Sequence, residues 1–116
     1  MKANEVRLNN YVIYDNEVYQ IDTIAEVFPT LNTDKFGIGV VDWNNIKPIP
    51  LTEEWLIKFG FEVYEFDHKE NQYRINDRLL VVRNNVFYDY GSRVELKYVH
   101  QLQNLFFALT QKELTL

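Results

Sequence analysis

Short runs of alternating apolar and polar residues, separated by pairs of Asn and Asp, recur along this chain of 116 residues. Successive side chains point to opposite faces of a β-strand, so such runs are typical of strands. Asn and Asp accept the backbone angles of tight hairpin turns. The pairs are Asp15-Asn16, Asn44-Asn45, Asn76-Asp77 and Asn84-Asn85. We therefore predict small antiparallel sheets joined by tight turns.

The first fifty residues carry three of these strand-like runs. They are Tyr11 to Tyr14, Val18 to Ile24 and Ile38 to Val41. Pro29 and the polar stretch that follows it, as far as Lys35, are typical of a loop. Three or four short strands joined by tight turns predict a small, curled, barrel-like sheet over residues 1–50.

A helix start follows the proline-containing segment KPIPL. Thr52 is a typical N-cap, because its hydroxyl can accept a hydrogen bond from a free N–H of the first turn. The two glutamates after it complement the positive end of the helix dipole. Gly60 accepts the left-handed conformation that ends helices. We predict a short helix from Glu53 to Phe59, within residues 51–60.

Residues 61–92 return to a period of two. Their turn signals recur about every eight to ten residues, a spacing that is typical of an antiparallel meander. Gly91-Ser92 closes the last run. We therefore predict a β-meander over residues 61–92.

The C-terminal segment changes period again. Its apolar residues recur at the spacing of one helix face: Val99, Leu102, Leu105, Phe106 and Leu109. We predict a helix from about Tyr98 to Leu109, within residues 97–110, and expect its apolar face to be buried on the meander. The elements together predict one α+β domain spanning residues 1–116.

Cysteine usage and hydropathy bear on the compartment. The chain has no Cys, which excludes disulfides and thiolate metal sites and suits a reducing compartment. Its opening, MKANEVRLNN, lacks the apolar stretch of a signal peptide. The longest apolar run, Leu105 to Leu109, is far shorter than the ~20 residues of a membrane helix. The expected location is the cytoplasm.

Sequence patterns for catalysis or cofactor binding are absent. The two histidines, His68 and His100, have no HExxH-like spacing. Ser92, the lone serine, follows a turn glycine without a GxSxG motif. With four glycines, the chain has neither GxGxxG nor GxxxxGK[ST]. We expect a protein that is not an enzyme and holds no metal or cofactor.

Negative charge is concentrated in residues 1–70, where six Lys/Arg and thirteen Asp/Glu give a net charge of −7. The densest acidic cluster consists of Glu62, Glu65, Asp67 and Glu70. One interpretation is a solvated edge that discourages aggregation. The other is a contact surface for a basic protein partner.

Residues 71–116 carry a net charge of +2, and their arginines alternate with tyrosines. The candidate nucleic-acid contacts are Arg74, Arg78, Arg83, Arg93, Tyr73 and Tyr88, with Tyr90 nearby. Arginine with interleaved aromatic rings can hold phosphates and stack bases. The alternative is that each arginine pairs with a strand-edge carboxylate.

The last predicted helix has a polar side, formed by His100, Gln101, Gln103 and Asn104. Long amides there could bond to a partner backbone or to bases. A solvated helix surface is the alternative.

Three segments resemble a group of small proteins found in Bacteroidetes genomes and their prophages. They are KANEVRLNNYVIY at the start, KPIPLTEEWLIKFGF at Lys47 to Phe61 and LKYVHQLQNLFFALTQKELT at Leu96 to Thr115. This chain departs from that group at Asn9 and at Gln111, where the group usually has Gly. No activity comes with the resemblance. It implies a mobile-element origin and the cytoplasm of a bacterial host.

Three functions are compatible with these features. The first is a non-enzymatic phage or mobile-element protein that binds and inhibits a host protein with a basic surface, such as an RNA-guided defence nuclease. The second is an accessory protein that binds RNA or single-stranded DNA. The third is a structural or assembly component of a phage particle, which predicts a defined homo-oligomer.

Overall fold

The computed structural model describes residues 1–24, 29–32, 37–66 and 70–116. The chain divides into two compact units. The first consists of residues Met1–Ile49 and Tyr98–Glu113, and the second of Pro50–Lys97 and Leu114–Leu116. The α+β class is confirmed, because two antiparallel sheets and two α-helices form the described part of the chain. That the chain is one domain stays a prediction.

A curled five-stranded sheet forms the first unit. Its strands are β1 (Tyr11–Tyr14), β2 (Glu17–Thr23), β3 (Thr30–Asn32), β4 (Gly37–Val40) and β5 (Ile46–Lys47), in the order β4-β3-β2-β1-β5. Short 3-10 turns lie at Ala3–Glu5 and Trp43–Asn45. The first hairpin is confirmed, and Asp15 and Asn16 both have positive φ, as its tight turn requires. The predicted loop after Pro29 is wrong over Thr30–Asn32, which pair with β2 and β4 as strand β3, and its remainder lies outside the described residues.

The core of the first unit explains why its strands alternate. Val12 and Ile21 have no exposed surface, and Leu31 and Ile46 are each 1% exposed. They belong to one apolar cluster with Val6, Tyr19, Val41 and Trp43. Strands β1, β2, β3 and β5 therefore each contribute side chains to this cluster.

The second unit begins with the predicted short helix. Helix α1 spans Glu53–Lys58, and Thr52 is its N-cap, with the hydroxyl accepting from the Trp55 N–H at 3.5 Å. Gly60 has φ +97° and ends the helix as expected. Leu56, which has no exposed surface, is the buried residue of this helix.

The predicted meander is confirmed. Its strands β6 (Glu62–Phe66), β7 (Glu70–Ile75), β8 (Arg78–Arg83), β9 (Val86–Asp89) and β10 (Glu95–Leu96) form one antiparallel sheet in sequence order. Positive φ at Asn76, Asn84 and Asn85 forms two of its turns. Strand β6 is the outermost strand at one side of the sheet.

Helix α2 spans Val99–Thr110, and its expected partner has to be corrected. We predicted that the helix covers the meander, but it groups with the first sheet. Side chains that were assigned to a polar surface bond instead to residues 7–11 of the first unit. Leu105, expected to be buried, is only half-buried, whereas Leu102 and Phe106 are buried.

The two departures from the resembled group share one backbone property. Asn9 has φ 69° and Gln111 has φ 62°. Glycine adopts these left-handed angles without steric cost, and Asn tolerates them better than most residues. Glycine at either position would therefore suit this backbone.

Candidate functional site

The second sheet has two chemically different faces. Strand register places Tyr73, Leu80 and Asp89 in one row, and all three are buried. The next row along the strands contains Tyr64, Gln72, Val81 and Tyr88. Because side chains alternate, this second row belongs to the opposite face.

The opposite face carries tyrosines and arginines. Tyr64 is 45% and Tyr90 is 61% exposed, Tyr88 is half-buried, and Arg74 and Arg83 are exposed. We call Tyr64, Arg74, Arg83, Tyr88 and Tyr90 the tyrosine–arginine face. Tyr64 was not among the predicted contacts. Its register opposite Gln72 places it on this face.

An open groove runs along part of this face. Its volume is about 790 Å³. The residues that line it are Val81, Arg83, Asn84, Tyr88, Asp89, Tyr90, Gly91 and Arg93. Val81 is 4% exposed. The groove therefore combines a covered apolar residue with two tyrosines and two arginines.

Two predicted contacts lie on the other face and have to be corrected. Tyr73 is 2% exposed, and its hydroxyl donates to Glu53 at 2.8 Å. Burial first, and then the bond to Glu53, raise the pKa of Tyr73 to about 12. Arg78 donates to both carboxylate oxygens of Asp89, at 3.0 and 2.9 Å. Their polar groups serve the fold, and Tyr73 presents no ring to a ligand.

The predicted acidic edge is described only in part. Glu62 is exposed and lies on β6 opposite Arg74. Glu65 lies on β6 in register with Asn71, and Glu70 lies on β7 in register with Phe66. Asp67 lies outside the described residues. The structure thus places the two ends of this cluster on neighbouring strands at one side of the sheet.

The predicted polar side of α2 is wrong as a surface. Gln103 has no exposed surface and His100 is 5% exposed. Gln103 accepts from the Tyr11 N–H at 2.9 Å. Asn104 accepts from the Asn10 amide at 2.9 Å. Gln101 accepts from the Tyr98 N–H at 3.1 Å, at the start of the helix.

These helix residues belong to a polar network around residues 7–10. Arg7 donates to Glu113 at 2.7 Å, and its guanidinium lies 3.9 Å from the centre of the Phe107 ring. Asn10, which has no exposed surface, also accepts from the Arg7 N–H at 2.7 Å. Glu113 Oε2 is buried without a hydrogen-bond partner among the described residues. The other bonds join residues 7–10 to α2 and Glu113 within the first unit, so the network holds the opening segment against α2.

His100 should make stability depend on pH. Burial lowers its pKa below the ordinary 6.5, with Glu5 opposing the shift, and the ring stacks on Tyr98 at 5.8 Å between ring centres. The Nδ1 atom is buried without a hydrogen-bond partner among the described residues. The unfolded chain then binds the proton first, so the free energy of unfolding falls as the pH drops below 6.5.

Urea unfolding between about pH 7.5 and about pH 5.5 measures this slope, whose limit for one group is about 1.4 kcal/mol per pH unit. His100→Gln should show a smaller slope than the wild-type chain. Equal slopes in the two proteins would contradict the assignment to His100.

Two features are absent from the residues that the structure describes. No helix among them is long and apolar enough to cross a bilayer. No group of three or more His, Asp or Glu side chains among them converges as a metal-ion site.

Comparison with known proteins adds no relative. No family model, no curated protein and no solved structure matches this chain. Functional inference therefore depends on the surfaces described above.

Proposed function

We propose that this chain is a non-enzymatic phage or mobile-element protein that binds and inhibits a host protein through the β6 side of its second sheet. The observation that carries the proposal is that β6 is the outermost strand and that Glu62 and Val63 on it are exposed. Because these two residues are consecutive in a strand, their side chains lie on opposite faces of the sheet. The partner we propose is a nucleic-acid enzyme with a basic surface, such as an RNA-guided defence nuclease.

An outermost strand offers a direct way to bind a protein. Its outward backbone N–H and C=O groups can pair with an extended segment of a partner, which joins the sheet as a further strand. The other outermost strand of this sheet, β10, has only two residues, whereas β6 has five. Strand β6 therefore offers the longer template for pairing.

Charge indicates the chemistry of the added segment. Glu62 and Glu65 lie on β6, and residues 1–70 carry a net charge of −7. A segment rich in Lys or Arg would gain opposite-charge pairs across the new strand pair and a faster association. Nucleases that hold a guide and its target do so in a positively charged channel, which suits a blocker of this charge.

Reversing the charge of this side tests the proposal. Glu62→Lys, Glu65→Lys, Asp67→Lys and Glu70→Lys together should abolish capture of a nucleic-acid enzyme from host lysate and inhibition of cleavage by that enzyme after purification. Because Glu62 is exposed, the fold should survive, and circular dichroism checks this.

A matched control uses acidic residues elsewhere in the same unit. Glu54 and Asp77 are exposed, and Glu54→Lys with Asp77→Lys should leave capture and inhibition unchanged. Wild-type protein that recovers no nucleic-acid enzyme, or a fourfold variant that binds as well as wild type, would refute the proposal.

A further inference from the structure

The geometry of the second sheet points to a second binding surface: we propose that the tyrosine–arginine face, with its groove, binds single-stranded nucleic acid. This goes beyond the proposed protein contact, because it uses side chains on a sheet face and not the backbone of β6. No observation on the protein partner is needed to support or refute it.

The exposed tyrosines supply the stacking surfaces. Tyr90 is 61% and Tyr64 is 45% exposed, although an aromatic ring on a sheet face gains by being covered. Tyr88 and Tyr90 line the same groove, on either side of buried Asp89 in sequence. Every base has a flat π-face, so rings placed in this way bind unpaired bases with little regard to sequence.

The arginines supply positive charge at both ends of the same groove. Arg83 pairs in register with Val86, at the start of β9, and Arg93 follows the end of that strand. Tyr88 lies between these ends. A backbone that passes along β9 would therefore meet a guanidinium, then aromatic rings, then a second guanidinium.

The length of this arrangement sets the size of the ligand. From Val86 to Tyr90 there are four residue steps, which at the strand rise span about 13 Å. That length matches about four nucleotides at the stacked spacing of about 3.4 Å. We infer a short segment of single strand as the ligand, since a duplex hides the faces of its bases.

The negative net charge of the whole chain limits its affinity for nucleic acid and favours single strands over duplexes. The whole chain has a net charge of −5, so non-specific attraction to a duplex is opposed. Stacking then decides binding, and the tyrosines should matter as much as the arginines. This distinguishes the face from a simple basic patch.

Fluorescence anisotropy with a labelled oligothymidine or oligouridine of about ten nucleotides tests the inference. We expect binding at about 50 mM salt that weakens at about 200 mM. Tyr88→Ala and Tyr90→Ala should each weaken it about tenfold, and Tyr88→Phe should bind within about twofold of wild type, because the ring and not the hydroxyl stacks.

The arginines have their own readout and a matched control. Arg83→Ala with Arg93→Ala should reduce the slope of log affinity against log salt by about 1.4, that is about 0.7 for each lost phosphate contact. Lys47→Ala with Lys112→Ala removes the same charge from exposed positions outside the second unit and should leave the slope unchanged.

Each contrary outcome overturns the inference. These outcomes are no binding of either oligonucleotide at low salt, a duplex bound as tightly as a single strand, and unchanged binding by both tyrosine-to-alanine variants. The fourfold lysine variant of the β6 side should still bind the oligonucleotide. Failure of one proposal therefore leaves the other intact.

Discussion

Replacing Asp89 with Ala is expected to lower the free energy of unfolding by about 3 kcal/mol, the lower end of the range for breaking a buried ion pair. The carboxylate is 2% exposed. It accepts two bonds from Arg78 and two from Ser92, through the Ser92 N–H at 2.9 Å and hydroxyl at 2.7 Å. The substitution leaves these donors without their acceptor.

The lower end of the range applies because Arg78 keeps access to water. Its side chain is 27% exposed, so its guanidinium is partly hydrated once the carboxylate is gone. Urea unfolding at neutral pH measures the loss. Asp77→Ala, in an exposed turn, is the control and should change stability by less than about 0.5 kcal/mol.

The same ion pair has a pH signature. Burial alone would raise the pKa of Asp89, but the bonds from Ser92 and Arg78 outweigh burial and hold it below the ordinary 3.8. The stabilisation is therefore complete above the unfolded value and is lost as the pH falls through the lower folded value. The difference between wild type and Asp89→Ala should shrink in strong acid. A constant difference would contradict the role of the charge.

Local sequence signals were sufficient for the tight turns, the short helix and most strands, but β3 (Thr30–Asn32) was predicted as part of a loop. Asn84-Asn85 predicted a turn because Asn accepts left-handed angles, and both residues have positive φ. Thr52 and Gly60 marked the two ends of α1, because caps depend on residues next to one another. These features need no information about distant parts of the chain.

The partner of α2 could not be predicted in this way. The spacing of its apolar residues predicts that one face of the helix is buried, but it does not identify the element on which that face packs. The bonds that place it join positions far apart, such as Asn10 with Asn104. Gln103 reads as a surface residue because amides are mostly exposed, and only a backbone N–H such as that of Tyr11 makes its burial favourable.

The sequence predicted that tyrosines and arginines form the candidate face, but it did not predict correctly which of them lie on it. Tyr73 and Tyr88 lie on different strands, so the alternation of side chains assigns them to opposite faces only when the register between the strands is known. A register shift of one residue moves a side chain to the other face. Arg78 was grouped with the contacts because a strand-edge carboxylate partner could not be located. Its partner Asp89 lies eleven positions away, across a hairpin.

Gln103→Leu is the second substitution with a large expected effect, a loss of about 3 kcal/mol. The leucine has a similar volume, so the change is mainly in hydrogen bonding. The Tyr11 N–H loses the partner that Gln103 provides at 2.9 Å, whereas the Asn9 C=O loses one of two donors and keeps Gln20. A buried polar group without a partner costs about 1–3 kcal/mol, and the upper end applies to the Tyr11 N–H because its bond is buried.

Gln20→Leu is the control that makes this prediction specific. The Gln20 amide donates to the same Asn9 carbonyl at 3.2 Å, but in an exposed setting. Water can replace that bond, so the loss should stay below about 0.5 kcal/mol. Urea unfolding compares the two variants. A loss below about 0.5 kcal/mol for both variants would mean that the buried bonds of Gln103 stabilise the contact between α2 and the first sheet no more than an exposed bond does, and would contradict the role given to Gln103.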